Sequence, residues 1–118
     1  MEAIATGVTE RWFSAAFRAR RPEMVESARR MLLATNPEGY IACCAAIRDA
    51  DQVASLPSIR APTLVITGRQ DAATPPADGQ AIASAIAGAR LVDLDTAHLS
   101  NLEAPEAFSA AVLKFLAS

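Results

Sequence analysis

The chain has 118 residues, which is enough for one small domain; 52% of them are hydrophobic and 20% are charged. This composition excludes a disordered segment, and the formal net charge of −2 gives no electrostatic reason to expect a nucleic-acid partner. The longest purely apolar run, residues 40–47, is far shorter than a bilayer span, so we expect no membrane partner.

The first part of the chain is predicted to be entirely helical. Thr9 is placed to cap a first helix, Pro22 suits the start of a second, and Asn36 and Pro37 precede a third. Each segment has apolar residues at helical spacing, which predicts one buried face per helix. The predicted buried residues are Trp12, Phe13, Ala16 and Phe17, then Met24, Val25, Ala28, Met31 and Leu32, and then Ile41, Cys44, Ala45 and Ile47.

The only two cysteines, Cys43 and Cys44, are neighbours in the third predicted helix. Adjacent α-carbons lie about 3.8 Å apart, which is shorter than the usual span of a disulfide. We therefore expect free thiols that pack as small apolar residues, as in a cytoplasmic protein. The first ten residues have no basic cluster and do not resemble a signal peptide. A single histidine and the absence of zinc-type Cys/His spacing predict no metal site.

A β-α-β-α pattern follows a connector that contains two prolines. We expect the two strands to be parallel and joined by a right-handed crossover, so the fold class is α/β. The predicted elements are a buried strand over 63–67, an alanine-rich helix that follows Pro75 and Pro76 and stops at Gly88, a strand over 90–95, and a last helix over 105–117.

An acid and the only histidine of the chain come shortly after these strands, at Asp71 and His98. The carboxyl ends of parallel strands meet at one edge of a sheet, so we expect the two side chains to be neighbours. A carboxylate that accepts from one imidazole nitrogen holds the ring in one tautomer, and the other nitrogen can then activate a nucleophile. The structural alternative is a turn aspartate and a loop histidine. The run "SNLE", 100–103, has the form of a capping box, which would explain Ser100 and Glu103 structurally.

Two longer stretches, "IRAPTLVITGRQDAATPP" and "GARLVDLDTAHLSNLEAPEAFSAAVLKFL", resemble the C-terminal end of α/β-hydrolases. Within these enzymes the chain is most similar to the 3-oxoadipate enol-lactonases, through "RWFSAAF", "NPEGYIACCAAIRDAD" and "DAATPP…AHLSNLEAP". The resemblance implies that residues 1–50 belong to a helical cap, or lid, and residues 51–118 to the C-terminal part of the hydrolase core. It also implies that Asp71 is the acid and His98 the histidine of a catalytic triad.

The chain departs from the family's pattern in one respect, because no G-x-S-x-G nucleophile elbow is present. No serine sits in a Gly-flanked turn between a strand and a helix, and four of them fall inside predicted helices. The resemblance therefore implies a partner, the N-terminal half of the fold, that carries the nucleophile and the oxyanion donors. We expect the chain alone to be inactive. The four serines in predicted helices are Ser14, Ser27, Ser84 and Ser109.

Some further residues are candidates for contact with a small anionic lactone substrate. Trp12 and Tyr40 could line the cavity from the cap, and Leu99 could shape its wall, but each fits a packing role as well. The arginine-rich run 18–21 and Arg48 are candidates for binding the anionic group. Serine-type hydrolysis needs no cofactor and no metal ion.

Two classes of function stay open. The first is a lactone hydrolase of the β-ketoadipate pathway of aromatic catabolism, or a related esterase or cofactor-free haloperoxidase. The second is a non-catalytic, stand-alone remnant, although such a module has no need of Asp71 and His98. In either case a sheet of two strands would leave edges and one face uncovered, so we expect the isolated chain to self-associate.

Overall fold

The computed structural model describes all residues from Met1 to Ser118. Four helices come first, a short 3₁₀ helix follows, and a β-α-β unit with two further helices completes the chain. The predicted α/β class is confirmed, and the predicted strands and the helix between them are present; the break in the first helix, the 3₁₀ helix and α6 were not predicted. The helices are α1 (Glu2–Trp12), α2 (Ala15–Arg20), α3 (Pro22–Leu33), α4 (Pro37–Asp49), α5 (Pro76–Ala85), α6 (Ser100–Glu103) and α7 (Pro105–Leu116); the 3₁₀ helix is Val53–Ser58, and the strands are β1 (Leu64–Gly68) and β2 (Arg90–Leu94).

The first predicted helix is two helices, with a break at Phe13 and Ser14. Phe13 is extended, with φ −125° and ψ 139°, and the Ser14 hydroxyl oxygen accepts a hydrogen bond from the Phe17 N–H at 3.2 Å. Ser14 is therefore the N-cap of α2 and not a mid-helix residue. The predicted start at Thr9 was wrong: Thr9 lies inside α1, where its hydroxyl donates to the carbonyl of Ala5.

The hydrophobic core of the chain lies mainly in the helical part. One cluster joins α1 to α3, and a second joins α2 to α3, with Trp12 packing against both. The Phe13 and Phe17 rings of the second cluster stack with their centroids 5.3 Å apart. The fully or nearly buried members are Ala5, Val8 and Leu32 in the first cluster and Phe13, Phe17 and Ala28 in the second.

Helix α4 differs from the prediction, because none of its residues is buried. Ile41 and Ile47 are 66% and 76% exposed, and the thiols of Cys43 and Cys44 are free and exposed rather than packed. The predicted buried residue Met31 of α3 is also 63% exposed. The apolar spacing correctly indicated a helix, but within this chain nothing covers Ile41 and Ile47 on the apolar side of α4.

The chain as a whole is loosely packed. Only 14 of its 118 residues are buried, and its radius of gyration is 15.8 Å, whereas a compact domain of this length has one of about 13 Å. No helix is both long and apolar enough to cross a membrane. The packing leaves large apolar side chains on the surface in every part of the fold.

The two strands pair in parallel, with Leu64 opposite Arg90 and Gly68 opposite Leu94. Helix α5 connects them and packs on both. Strand β1, which was predicted to be buried, is buried only at Thr67 and Gly68 and half-buried before them, and β2 has exposed and half-buried residues only, because the sheet has just two strands. Since the pairing is parallel and in step, the strands end side by side at Gly68 and Leu94. The loops that follow them are therefore neighbours.

Gly79 allows α5 to lie directly on β1. A Cβ at this buried position would overlap the Cγ2 atom of Thr67. Thr67 cannot easily turn away, because it is β-branched and its hydroxyl donates to the Asp93 carboxylate on the neighbouring strand. The contact between helix and strand therefore depends on the missing side chain.

We expect Gly79→Ala to lower the free energy of unfolding by about 1–3 kcal/mol, because the added methyl overpacks the contact with Thr67. Gly7→Ala is the matched control, since Gly7 also lies within a helix but has nothing within 4 Å of an added Cβ. This control should stabilise the chain by about 0.5–1 kcal/mol. Urea unfolding measures the free energy of unfolding of both variants. Equal changes of the same sign in Gly79→Ala and Gly7→Ala would contradict the packing argument.

Candidate active site

The acid of the candidate site is held by a turn of its own making. Asp71 lies three residues beyond the end of β1, and one carboxylate oxygen, Oδ1, accepts from the N–H groups of Ala73 at 2.7 Å and Thr74 at 2.9 Å. The Thr74 hydroxyl donates to the other oxygen, Oδ2, at 2.8 Å. The Asp71 side chain is only 7% exposed. This Asx-type turn fixes the carboxylate before any distant residue reaches it.

The histidine loop reaches the acid loop because the two backbones approach very closely. The Arg69 N–H donates to the Leu94 carbonyl at 2.8 Å, and the Gln70 N–H donates to the Thr96 carbonyl at 2.9 Å. A Cβ on Gly68 would lie 2.6 Å from the Thr96 oxygen and would overlap the Ala97 oxygen as well. Glycine is therefore required at the end of β1 for the second loop to lie against the first.

The imidazole of His98 lies against this carboxylate. Its Nδ1 is 2.8 Å from Oδ2 of Asp71 and 3.3 Å from the Thr74 hydroxyl. Because an ionised carboxylate only accepts, the Asp71 contact assigns the proton of a neutral His98 to Nδ1 and leaves Nε2 as the acceptor. Nε2 has no hydrogen-bond partner within the chain, and the side chain is 34% exposed. This is the arrangement in which a histidine can take a proton from a third group.

The hydrogen bonds decide the charge of Asp71. Burial alone would raise the pKa of its carboxyl, but the bonds from the Thr74 N–H, from His98, from the Thr74 hydroxyl and from the Ala73 N–H outweigh it. The pKa of Asp71 therefore lies below its ordinary value of 3.8. The carboxylate is ionised throughout the neutral range, where it can stabilise an imidazolium next to it.

Thr74 is a member of this site that the sequence analysis did not identify. It supplies two of the hydrogen bonds to Asp71, one from its N–H and one from its hydroxyl. The signal was present in the sequence, because an aspartate followed three residues later by threonine is the spacing of an Asx-type turn.

The three candidate substrate contacts do not join the pair in one group. Trp12 is half-buried between the two helical clusters, and Tyr40 packs against the cluster of Ala5, Val8 and Leu32. Leu99 is next to His98 in sequence, but it packs on the cluster that contains Phe13. All three contribute to packing, and their contact with substrate stays a prediction.

The candidate arginines are engaged at the surface. Arg18 donates to the carbonyls of Glu10 and Phe13 and so closes the end of α1, and Arg21 pairs with Glu23. Arg48 pairs with its neighbour Asp49, and this hydrogen bond raises the pKa of Arg48.

Asp51 has a structural role, since its carboxylate accepts from the Val53 N–H at 3.2 Å, at the start of the 3₁₀ helix. No group of three or more His, Cys, Asp or Glu side chains is placed to hold a metal ion.

The capping-box prediction for "SNLE" was wrong. The Ser100 hydroxyl lies 2.8 Å from the Thr96 hydroxyl instead of capping its own helix. The Glu103 carboxylate accepts from the N–H of Ser14, in the first part of the chain, and from the N–H of Ala97, in the loop just before α6. Helix α6 has only four residues and no side-chain cap. The Ser100 side chain thus holds the loop that precedes α6, and the Glu103 side chain connects that loop to the start of α2.

No enclosed cavity of the chain contains the pair. The largest cavity, about 300 Å³, lies between the strands and α7, and Leu64 and Arg90 at the amino ends of the strands line it. A smaller one of about 230 Å³ along β1 and α5 reaches Asp71 and Thr74. The exposed face of His98 borders neither of them.

Comparison with known proteins shows where this arrangement belongs. The TAP-like protein family of α/β-hydrolases matches residues 30–118. 3-Oxoadipate enol-lactonase 2 of Acinetobacter baylyi is 41% identical over 109 residues, which are 92% of this chain and 41% of that enzyme. The chain belongs to the TAP-like family of α/β-hydrolases.

Solved structures of α/β-hydrolases have the same fold as this chain. The enol-lactonase from Burkholderia xenovorans LB400 superposes on all of it with a TM-score of 0.98 and 43% identity. A hydrolase from Pseudomonas aeruginosa PA01 does so with a TM-score of 0.94 and 47% identity. The chain covers 45% and 44% of these two proteins, so it spans less than half the length of the relatives it matches. It corresponds to the C-terminal part of the α/β-hydrolase fold.

In this α/β-hydrolase chain we expect the ionised Asp71 to contribute stability that depends on pH. Its pKa is lower in the folded chain than in the unfolded one, so its contribution is complete well above pH 3.8 and is lost as the pH falls through the folded-state pKa. At pH 7, Asp71→Asn should therefore cost about 1–3 kcal/mol, since an amide nitrogen cannot accept from His98 and Thr74.

Urea unfolding of both proteins between pH 7 and pH 2 measures this difference. The difference in the free energy of unfolding between wild type and Asp71→Asn should become smaller below pH 3.8. Asp95→Asn serves as control, because Asp95 is exposed and accepts only from the Gln70 side chain, at 3.0 Å. A gap for Asp71→Asn that stays constant down to pH 2 would contradict the ionised hydrogen-bonded carboxylate.

Proposed function

We propose that the chain provides the acid and the base of a serine-type hydrolase that opens the lactone ring of 3-oxoadipate enol-lactone, in the β-ketoadipate pathway of aromatic catabolism. The observation that carries the proposal is the 2.8 Å contact between Asp71 and His98 Nδ1 at the carboxyl ends of two parallel strands. The similarity to enol-lactonases over nearly the whole chain supports the lactone as substrate.

In this proposal His98 moves the proton and Asp71 keeps the ring in place. Nε2 of His98 takes the proton of a serine hydroxyl, the serine oxygen bonds to the acyl carbon of the lactone, and the ring C–O bond breaks. The imidazolium returns the proton to the enol oxygen that leaves. Water then attacks the acyl-serine with His98 again as base, and this releases the acid and restores the serine. Asp71 stabilises the imidazolium in both halves of the reaction.

The serine and the oxyanion donors are proposed to come from the N-terminal part of the hydrolase fold, since no G-x-S-x-G motif occurs in the 118 residues. In the complete enzyme residues 1–50 would form the cap and residues 51–118 part of the core. The candidate contacts Trp12, Tyr40 and Leu99 would then face a cavity closed by the other part. The free, exposed thiols of Cys43 and Cys44 support a cytoplasmic location.

A chimera tests the proposed function. The part of the Burkholderia xenovorans enol-lactonase that precedes the segment matched by this chain is joined to residues 1–118. We expect the chimera to hydrolyse the enol-lactone and the chain alone to show no activity above background. His98→Ala should lower kcat at least about 10³-fold, since a triad loses nearly all its advantage without its base.

The control for this experiment is Gln70→Ala, which changes an exposed side chain next to Asp71 and should leave kcat within about twofold. A folded His98→Ala chimera with full activity would contradict the role of His98 and favour the non-catalytic alternative. An unstrained ester and a halogenation assay measured in parallel distinguish the lactonase from the esterase and haloperoxidase alternatives. The lactonase proposal requires kcat/KM to be highest for the lactone.

We further propose that the N-terminal part of the fold covers the apolar surface that this chain leaves open, and that a second copy covers it in the isolated chain. The exposed residues Ile41, Ile47 and Leu116 are between 66% and 76% exposed, and the two-stranded sheet has an unpaired edge on each side. Both kinds of surface favour association in water.

We expect sedimentation equilibrium to show a dimer or a larger species for the isolated chain, with a mass that rises with concentration. The chimera should associate less, because its own N-terminal part buries the same surface. A compact monomer of the isolated chain at high concentration would contradict this expectation.

A further inference from the structure

One half-buried connection runs from the helical part of the chain to the histidine loop. The half-buried Glu103 carboxylate accepts from the Ser14 N–H at 2.5 Å through Oε1 and from the Ala97 N–H at 2.7 Å through Oε2. Ser14 begins α2, and Ala97 immediately precedes His98. One carboxylate thus holds two segments that are more than eighty residues apart in sequence.

The surroundings of Glu103 make this connection strong. Hydrogen bonds to a carboxylate are about twice as strong as neutral ones, and the Ala97 residue is 1% exposed, so water cannot replace the acceptor. A second bond fixes the same junction, since the Leu99 N–H donates to the Trp12 carbonyl at 3.1 Å. His98 therefore lies between two residues that are both tied to the helical part, Leu99 directly through its N–H and Ala97 through the Glu103 carboxylate that also accepts from Ser14.

The side chains repeat the backbone connection. Leu99 and Leu102 pack against the cluster that contains Phe13 and Phe17. Movement of the junction between α1 and α2 would shift the histidine loop through both kinds of contact. Asp71 makes no such contacts, because its turn is closed by Ala73 and Thr74 alone.

We propose that Glu103 is a positioning residue, which couples the placement of the α1–α2 junction to the placement of His98 relative to Asp71. Under the proposed function, on which the catalytic consequence rests, this means that the position of the cap sets the geometry of the general base. A change at the junction then alters the acid–base pair without touching it.

Ser14 offers a substitution that removes only one end of the bridge. Its φ of −61° suits proline, and the extended Phe13 before it suits a following proline. Ser14→Pro deletes the N–H from which Glu103 accepts a hydrogen bond, together with the hydroxyl that caps α2. Ser14→Ala deletes the hydroxyl alone and is therefore the matched control. Glu103→Gln, with the exposed Glu106→Gln as its control, tests the other end.

The readout in the 118-residue chain is the NMR spectrum of the imidazole, which is unambiguous because His98 is the only histidine. We expect Ser14→Pro and Glu103→Gln to shift the ring resonances of His98 and to weaken the signal of its hydrogen-bonded Nδ1 proton. Ser14→Ala and Glu106→Gln should leave both unchanged. If Glu103→Gln does not fold, the comparison of Ser14→Pro with Ser14→Ala still decides.

The second readout is activity in the chimera, where Ser14→Pro and Glu103→Gln should each lower kcat about tenfold or more and leave KM within about twofold. The kcat of the double variant should be no lower than that of the less active single variant, because both substitutions remove the same bridge. A lower Tm with unchanged His98 resonances and unchanged kcat would overturn the positioning role and leave only a structural one. An inactive wild-type chimera would refute the proposed function, and the resonances would still decide the role of Glu103.

Discussion

Parallel pairing of two five-residue strands is the constraint from which the candidate site follows. Strands β1 and β2 pair in parallel and in step, from Leu64 opposite Arg90 to Gly68 opposite Leu94. Both strands therefore end on the same side of the sheet. Helix α5 takes up the intervening sequence and returns the chain to the start of β2. Two residues separated by 27 positions thereby become neighbours. An antiparallel pairing would place the same two loops at opposite ends of the sheet.

The close approach of the two loops has a local physical basis. Gly68 has no side chain to hold the Thr96 carbonyl away, and the Arg69 and Gln70 N–H groups donate into the histidine loop. Burial of the Asp71 carboxylate is tolerated because its oxygens accept from Ala73 and Thr74 as well as from His98. Residues close in sequence thus hold Asp71 in place, and the parallel pairing of the strands brings His98 next to it.

Sequence reasoning succeeded where a local pattern has one structural solution. The apolar run before Gly68 predicted the strand, the Pro75–Pro76 pair predicted the helix start, and the position of Asp71 and His98 just after two parallel strands predicted that their side chains are neighbours. It failed where two local solutions compete. Thr9 and Ser14 are both acceptable N-caps, and the choice of Ser14 depends on the packing of Phe13 against α3 and Leu99.

Helix α4, which corresponds to the third predicted helix, shows another limit of sequence reasoning. The apolar spacing of α4 correctly predicts a helix with an apolar face, but it cannot say whether the surface that covers the face lies in the same chain. Ile41 and Ile47 are exposed because no element of these 118 residues packs on them. The role of Glu103 was hidden for a related reason, since its donor Ser14 is distant in sequence and a local capping motif offered a simpler explanation.

The contrast between the two halves of the pair has a consequence for how this fold can be regulated. The Asp71 turn is closed by its own residues, so it keeps its shape whatever the helices do. The histidine loop takes its position from the first cap-like helices through Glu103, the Trp12 carbonyl and the Phe13 cluster. Under the positioning role proposed for Glu103, movement of these helices would change the placement of His98 relative to Asp71, and the hydrogen bonds from the Arg69 and Gln70 N–H groups to the histidine loop would oppose that change. Because a hydrogen bond weakens steeply when its partners separate or turn, the 2.8 Å contact between His98 Nδ1 and Asp71 is sensitive to such a movement.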